Sequence, residues 1–312
     1  MVQKIVMIGA TGFIGGALIE MLSVENKLVI FSRKNIEGRK TDSSKNIRFV
    51  SFADSDEILL SAMENCKVII NLAGASIGDE RWTTARKKEI LASRVQTIQQ
   101  LANLLHRINL CVETIIQASA IGYYGFSETR VFTEEDESGE GFLAEIAGKW
   151  EMAAKNNLNT YTKRLVVMRL GVVLSGNGGA FPKMIAPFNF YIGGKLGNGK
   201  QWLSWIHLDD VKQAVTFFID NQQCHGVYNL VSPKAVTNTD FAKMVGKCLN
   251  KPTFFPTPSV LIKLVFGQMG EELLLKGANV LPMRLNDAGF KFQFSGMEEA
   301  LDQLIDHFGK HK

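Results

Sequence analysis

Gly9-Ala10-Thr11-Gly12-Phe13-Ile14-Gly15 follows directly on the apolar run Ile5-Val6-Met7-Ile8 and leads into Ala17-Leu18-Ile19-Glu20-Met21-Leu22. An apolar run, a glycine turn and a helical pattern in that order form a strand-turn-helix unit. The first glycine allows the tight turn, the second lets backbone N–H groups approach a pyrophosphate, and the third lets helix and strand pack closely. In this context Gly9, Thr11, Gly12, Phe13, Ile14 and Gly15 are expected to hold a dinucleotide. The competing reading is a tight structural turn without a ligand.

The second apolar run, Leu28 to Phe31, ends in Ser32-Arg33-Lys34 rather than in a carboxylate. An acidic residue there would hold a ribose 2′-hydroxyl, whereas a hydroxyl and two cations suit a 2′-phosphate. Ser32, Arg33 and Lys34 therefore point to NADP(H), against the alternative of a solvated basic turn. Asn71-Leu72-Ala73-Gly74 closes the fourth run with small residues, so Leu72, Ala73 and Gly74 are expected to line the adenine and ribose.

Further runs at Ile47–Phe52, Val68–Leu72, Thr114–Ala118 and Leu165–Leu170 alternate with amphipathic stretches. That alternation predicts an α/β fold with a doubly wound parallel sheet. After Gly171 the chain becomes glycine-rich, then helical from Asp209 to Asp220, with a strand at Val227–Val231. Residues 1–175 and 204–232 are expected to form the Rossmann domain. Residues 176–203 and 233–312 would form a smaller C-terminal substrate lobe over the carboxyl edge of the sheet.

The 312 residues carry 35 basic and 31 acidic side chains, a net charge of +4, with 46% hydrophobic residues. No stretch approaches the roughly 18 to 20 apolar residues of a membrane span. The opening strand leaves no room for a secretion signal, and Cys66, Cys111, Cys224 and Cys248 form no paired motif, which together suggest a reducing, cytoplasmic setting. His307 and His311 straddle Gly309 at the chain end and read as a tail, so no metal site is expected. No long basic run marks nucleic-acid binding. The expected partner is a small-molecule substrate, with neither nucleic acid nor membrane; substrate identity and oligomeric state are left open.

Beyond the glycine turn and Asn71 to Gly74, several segments share a pattern. They are Ser119-Ala120-Ile121-Gly122-Tyr123-Tyr124-Gly125, Lys149-Trp150-Glu151, Arg169-Leu170-Gly171-Val172-Val173-Leu174, Gly193-Gly194 to Gly199, and Trp205-Ile206-His207-Leu208-Asp209-Asp210. Together they resemble an atypical, epimerase-like branch of the extended short-chain dehydrogenase/reductase superfamily, whose familiar members are nucleotide-sugar epimerases. Pro256-x-Pro258, Gly270-Glu271 and Pro282 to Phe294 resemble that branch's own uncharacterised C-terminal domain. The resemblance implies a Rossmann fold, a nicotinamide cofactor and oxidoreductase or epimerase-like chemistry on a small molecule, with a nucleotide sugar as one candidate.

Ordinary members of that superfamily use a serine with a Tyr-x-x-x-Lys pair on a helix, the lysine lowering the tyrosine pKa. Here Ser119 is in place, but the expected helix reads Glu145-Ile146-Ala147-Gly148-Lys149. The literal Tyr191 to Lys195 match contains Gly193-Gly194 and should not be helical. Two options follow. Tyr124 or Tyr123, beside Ser119, supplies the phenol, with Tyr124 placed first; or Glu145 exchanges the proton. Glu145 and Lys149 also suit a plain exposed ion pair, while Lys149 would reach the nicotinamide ribose. Arg94 is expected at cofactor phosphate or ribose, with Glu89 orienting it through a salt bridge. Gln201, Trp205 and His207 are further polar candidates, His207 reading first as a helix cap. The missing tyrosine also motivates a second class of function: a cofactor-binding sensor or regulator without turnover. A third is a nucleotide-sugar binder without redox chemistry.

Overall fold

A computed structural model describes residues 2–32 and 46–310, with the side chains of residues 307–310 outside the description. The first half runs β1 (Lys4–Ile8), α1 (Phe13–Leu22), β2 (Lys27–Phe31), β3 (Ile47–Val50), α2 (Asp56–Met63), β4 (Cys66–Asn71), α3 (Thr84–Arg107) and β5 (Val112–Ala120). It continues through β6 (Val131–Phe132), α4 (Phe142–Leu158), β7 (Thr162–Leu170), β8 (Val172–Ser175), β9 (Gly178–Gly179), α5 (Phe181–Asn189), β10 (Trp202–Leu203), β11 (Trp205–His207) and α6 (Leu208–Asp220). The remainder is β12 (Gly226–Leu230), β13 (Val236–Thr237), α7 (Asn238–Leu249), α8 (Ser259–Phe266), α9 (Gln268–Leu274), β14 (Asn279–Val280), α10 (Met283–Asp287) and α11 (Met297–Lys310).

Seven strands form one sheet in the order β3-β2-β1-β4-β5-β7-β12. Each neighbouring pair is parallel. Both faces are covered, as a parallel sheet requires. Alternate residues of β1 go to opposite layers: Ile5 and Met7 pack with Leu18 of α1 and Val211, Val215 and Phe218 of α6. Val6 and Ile8 pack with Leu59 of α2, Ile98, Leu101 and Leu105 of α3 and Trp150 of α4. The strand order reverses beside β1, so the β1 and β4 ends meet at the crevice where such sheets bind ligands.

After β7 the chain leaves the sheet and returns as β12. Between them, β8 pairs with β11 and β9, and α5 seats Phe181, Ile185 and Phe188 against Phe241 and Val245 of α7 and Leu301 and Leu304 of α11. Among the described residues, no helix is long and apolar enough to cross a membrane.

Candidate functional site

The glycine turn sits between the ends of β1 and β4. Gly9 has φ +75°, and a Cβ there would lie 2.6 Å from the Ala73 backbone nitrogen. Gly15 presses on the turn itself, where a Cβ would stand 2.4 Å from Ala10 Cα. Gly12 differs: it caps α1, and its Cβ position meets only the Gly9 carbonyl oxygen, at 3.4 Å. Two glycines are thus forced by packing, and the middle one leaves open space at a helix N-terminus, where the first N–H groups lack intrahelical partners. Thr11 is exposed there, and Phe13 and Ile14 are half-buried. The Phe13 ring fills the space beneath Gly178 and Gly179, 3.0 and 2.7 Å from the positions their Cβ atoms would take. The β8–β9 hairpin therefore folds over the start of α1.

The end of β4 is fixed by side chains. Asn71 Nδ2 donates to Gln117 Oε1 at 2.8 Å, and its Oδ1 accepts the Ala73 N–H at 3.1 Å. The Leu72 N–H donates to the Ile8 carbonyl at 2.8 Å. The Arg94 guanidinium lies against Gly74, 3.0 Å from its Cβ position, and stacks 4.8 Å from the Trp150 ring. Its Nη1 donates to the Ala75 and Ile90 carbonyls at 3.1 and 2.9 Å. Burial, aided by the charge of Arg86, pushes the guanidinium down to about 10. Glu89 does not orient it; Glu89 pairs instead with Arg86, at 2.8 Å, one helical turn earlier. Among the described residues Arg94 has no carboxylate within ion-pair distance, so a half-buried cation faces the β4 end with two carbonyls and the Trp150 ring as its partners. Ser32 donates its N–H to the Val50 carbonyl at 3.0 Å, while Arg33 and Lys34 lie outside the described residues.

Ser119, 2% exposed at the end of β5, donates its hydroxyl to Glu151 Oε1 at 2.6 Å. The same carboxylate receives Arg169 Nε and Nη2, both at 2.8 Å. Arg169 Nη1 then donates to the Tyr124 hydroxyl, which donates to Asn229 Oδ1, each at 2.7 Å. One buried chain of hydrogen bonds thus runs across β5, α4, β7 and β12. Burial pushes the Tyr124 phenol up to about 12, against the pull of Arg169. Although burial works against it, the bonds and charge of Glu151 hold the Arg169 guanidinium above its usual range.

This arrangement differs from the expected one at two residues. Tyr124 is enclosed, with its oxygen used on both sides, so it is held as a neutral structural phenol. The half-buried Tyr123 ring lies 3.4 Å over Arg169 and is the less enclosed of the pair. Lys149 does not turn toward Ser119. It is 51% exposed and bonds to Glu145 at 2.5 Å. With Lys88, Val95 and Met152 it lines an outward groove of about 540 Å³ between α3 and α4. The face of α4 that meets the β5 end carries Leu143, Ala147 and Glu151, spaced at successive helical turns. Leu143 Cβ is 3.0 Å from the Cβ position of Gly122, and Glu151 reaches Ser119. A phenol and an ammonium paired on that face would have to occupy positions 143 and 147, which hold apolar side chains.

The other polar candidates support loops. His207 caps α6, its Nδ1 accepting the Asp209 N–H at 3.1 Å. Gln201 Nε2 donates to the Leu196 and Leu274 carbonyls, and Trp205 Nε1 to the Lys234 carbonyl. Tyr191 has φ +62° beyond the end of α5, so Tyr191 and Lys195 share no helix. Sequence reasoning missed Glu151, Arg169 and Asn229 as partners. The available signal was Arg169 within the apolar run Leu165–Leu170, since a cation in a buried strand needs a counter-ion.

Residues 5–230 match the model of the NAD dependent epimerase/dehydratase family, and residues 257–304 match a domain of unknown function, DUF1731. The epimerase family protein YfhF of Bacillus subtilis is 35% identical over 97% of this chain and 98% of its own length. The human epimerase family protein SDR39U1 is 33% identical over 97% of this chain and 100% of its own. The crystal structure of human SDR39U1 (isoform 2) with NADPH superposes with a TM-score of 0.86 at 31% identity, covering 97% of this chain and 99% of that one.

Proposed function

The chain belongs to the NAD dependent epimerase/dehydratase family, and on that footing we propose that it binds NADP(H) across the Gly9–Gly15 turn and uses it on a small molecule. The observation that carries this reading is the open position at Gly12, at the N-terminus of α1, between two glycines closed by packing. The NADPH in the crystal structure of the human relative supports the choice of cofactor. Gly12, Phe13 and Ile14 would meet the pyrophosphate, Leu72 to Gly74 the adenosine side, and Arg94 an anionic oxygen. Ser32, Arg33 and Lys34 would meet the 2′-phosphate. The cofactor would supply hydride transfer. Of the two tyrosines, Tyr123 is the better proton donor, because the oxygen of Tyr124 is already committed. A nucleotide sugar is one substrate class to try.

Calorimetry tests the cofactor. NADPH should bind at least about tenfold more tightly than NADH, roughly 1.4 kcal/mol, and Arg33→Ala should remove most of the difference. Equal affinities would remove the basis of the assignment.

A second reading, a cofactor-bound sensor without turnover, is favoured by Leu143 and Ala147 on the face of α4 toward Ser119. NADPH oxidation measured with a panel of small carbonyl compounds, together with NMR of nucleotide sugars for epimerised product, separates the two, since epimerisation returns its hydride and consumes no cofactor. Oxidation or epimer formation that depends on Tyr123 supports the enzyme; cofactor binding with neither supports the sensor.

A further inference from the structure

Residues 181–208 and 241–270 contain no aspartate or glutamate, yet together carry seven lysines. The two stretches are joined in the structure. Gly194 bridges Phe254, Leu196 bridges Thr257, and Lys251 Nζ stands 3.6 Å over the Tyr191 ring. The Thr257 N–H donates to the Lys195 carbonyl at 2.9 Å. Helix α8 starts two residues later, and its Ser259 Cβ is 3.6 Å from the Cβ position of Gly197.

Large apolar side chains stand out along this seam. Phe190, Phe254, Val260 and Leu264 are 73% to 76% exposed, Ile192 and Val265 are also exposed, and within α8 Ile262 is the sole buried residue. Single exposed apolar residues are ordinary; a connected set on two chain segments is not. Lys195 and Lys251 stand at the same seam, while Lys247 pairs with Glu298 of α11. Lys183 pairs with Asp79 and Lys263 with Glu271, both carboxylates from outside the two stretches. Among the described residues Lys195, Lys200 and Lys251 have no carboxylate partner.

We propose that this face docks on the surface of an anionic lipid bilayer, with α8 lying in the interface and the lysines meeting the headgroups. Apolar side chains at the acyl boundary and basic ones above it are what such a surface binds, and no spanning helix is needed. A second copy fits less well. Twofold pairing of this face would set two copies of one basic surface together, with no carboxylate in either stretch to answer Lys195, Lys200 and Lys251. The proposal is independent of the cofactor reading.

Flotation of the full chain with phosphatidylcholine vesicles, with and without phosphatidylglycerol, tests it. The protein should float with the anionic vesicles at low salt and be released by added salt. The pair Val260→Gln and Leu264→Gln, and separately Lys195→Glu with Lys251→Glu, should each weaken partitioning by roughly tenfold or more while circular dichroism stays unchanged. Absence of flotation at low salt, or flotation indifferent to both sets of changes, overturns the proposal. So does a dimer in sedimentation that Phe254→Gln with Leu264→Gln turns into monomer, because a second copy would then cover the face.

Discussion

Two glycines three residues apart have opposite tolerances. At Gly12 a Cβ meets a single carbonyl oxygen at contact distance, so Gly12→Val should fold and yet block a pyrophosphate; at Gly15 a Cβ would lie 2.4 Å from Ala10 Cα, so even Gly15→Ala should lower stability. Urea unfolding with NADPH calorimetry on both variants checks the contrast. Cofactor affinity retained by a folded Gly12→Val protein would leave the turn as structure alone. Tyr124 allows a similar separation. Tyr124→Phe leaves Arg169 Nη1 and Asn229 Oδ1 each without a buried partner and should cost about 1–3 kcal/mol of stability with cofactor affinity unchanged. A Tyr124→Phe protein as stable as the parent but stripped of turnover would return the proton to Tyr124. The sequence showed Ser119 and the tyrosines as neighbours, but could not show that the hydroxyls of Ser119 and Tyr124 are used inside the protein. The groups that use them, Glu151, Arg169 and Asn229, lie on other elements.

The strands were legible because a parallel strand buried on both faces must be an unbroken apolar run, as at Ile5–Ile8 and Leu28–Phe31. Helix phase was less so. Glu145 and Lys149 are four apart on any face of α4; the phase is set by Ala144, Ala147, Trp150 and Ala154, all buried, which turns that pair outward. The hairpin of β8 and β9 was invisible because its glycines answer to Phe13, far away in sequence. α4 has a further external dependence, since Gly141 gives it no side-chain cap. Glu272 of α9 takes that role, its carboxylate accepting the Phe142 and Leu143 N–H groups at 3.4 and 3.2 Å. Glu272→Ala should cost about 0.5–2 kcal/mol and speed amide exchange in the first turn of α4 specifically. Uniform exchange along the helix would mean that α9 does not cap it.

At the scale of the whole molecule, the sheet and the C-terminal elements are tied by a buried carboxylate. Asp210, in the first turn of α6, accepts the Gln293 and Phe294 N–H groups at 2.6 and 3.1 Å. Burial outweighs those two bonds and, with Asp209 adjacent, pushes its pKa up to about 6. Between the unfolded carboxylate range near pH 4 and pH 6 the folded protein therefore keeps a proton that the unfolded chain has released. The contribution of this group is full below about pH 4 and is lost as pH rises through 6, by roughly 3 kcal/mol in total. Most folded carboxylates act in the opposite direction, so the step must be read as a difference. Asp210→Asn lacks one of the two acceptor oxygens and should start less stable than the parent at pH 4. The gap between the two proteins in urea midpoint should then narrow as pH rises to 7, because only the parent acquires a buried charge. A gap that stays constant from pH 4 to 7 would mean that Asp210 titrates as an ordinary carboxylate, and a gap that widens would mean that its two backbone bonds, not its burial, dominate.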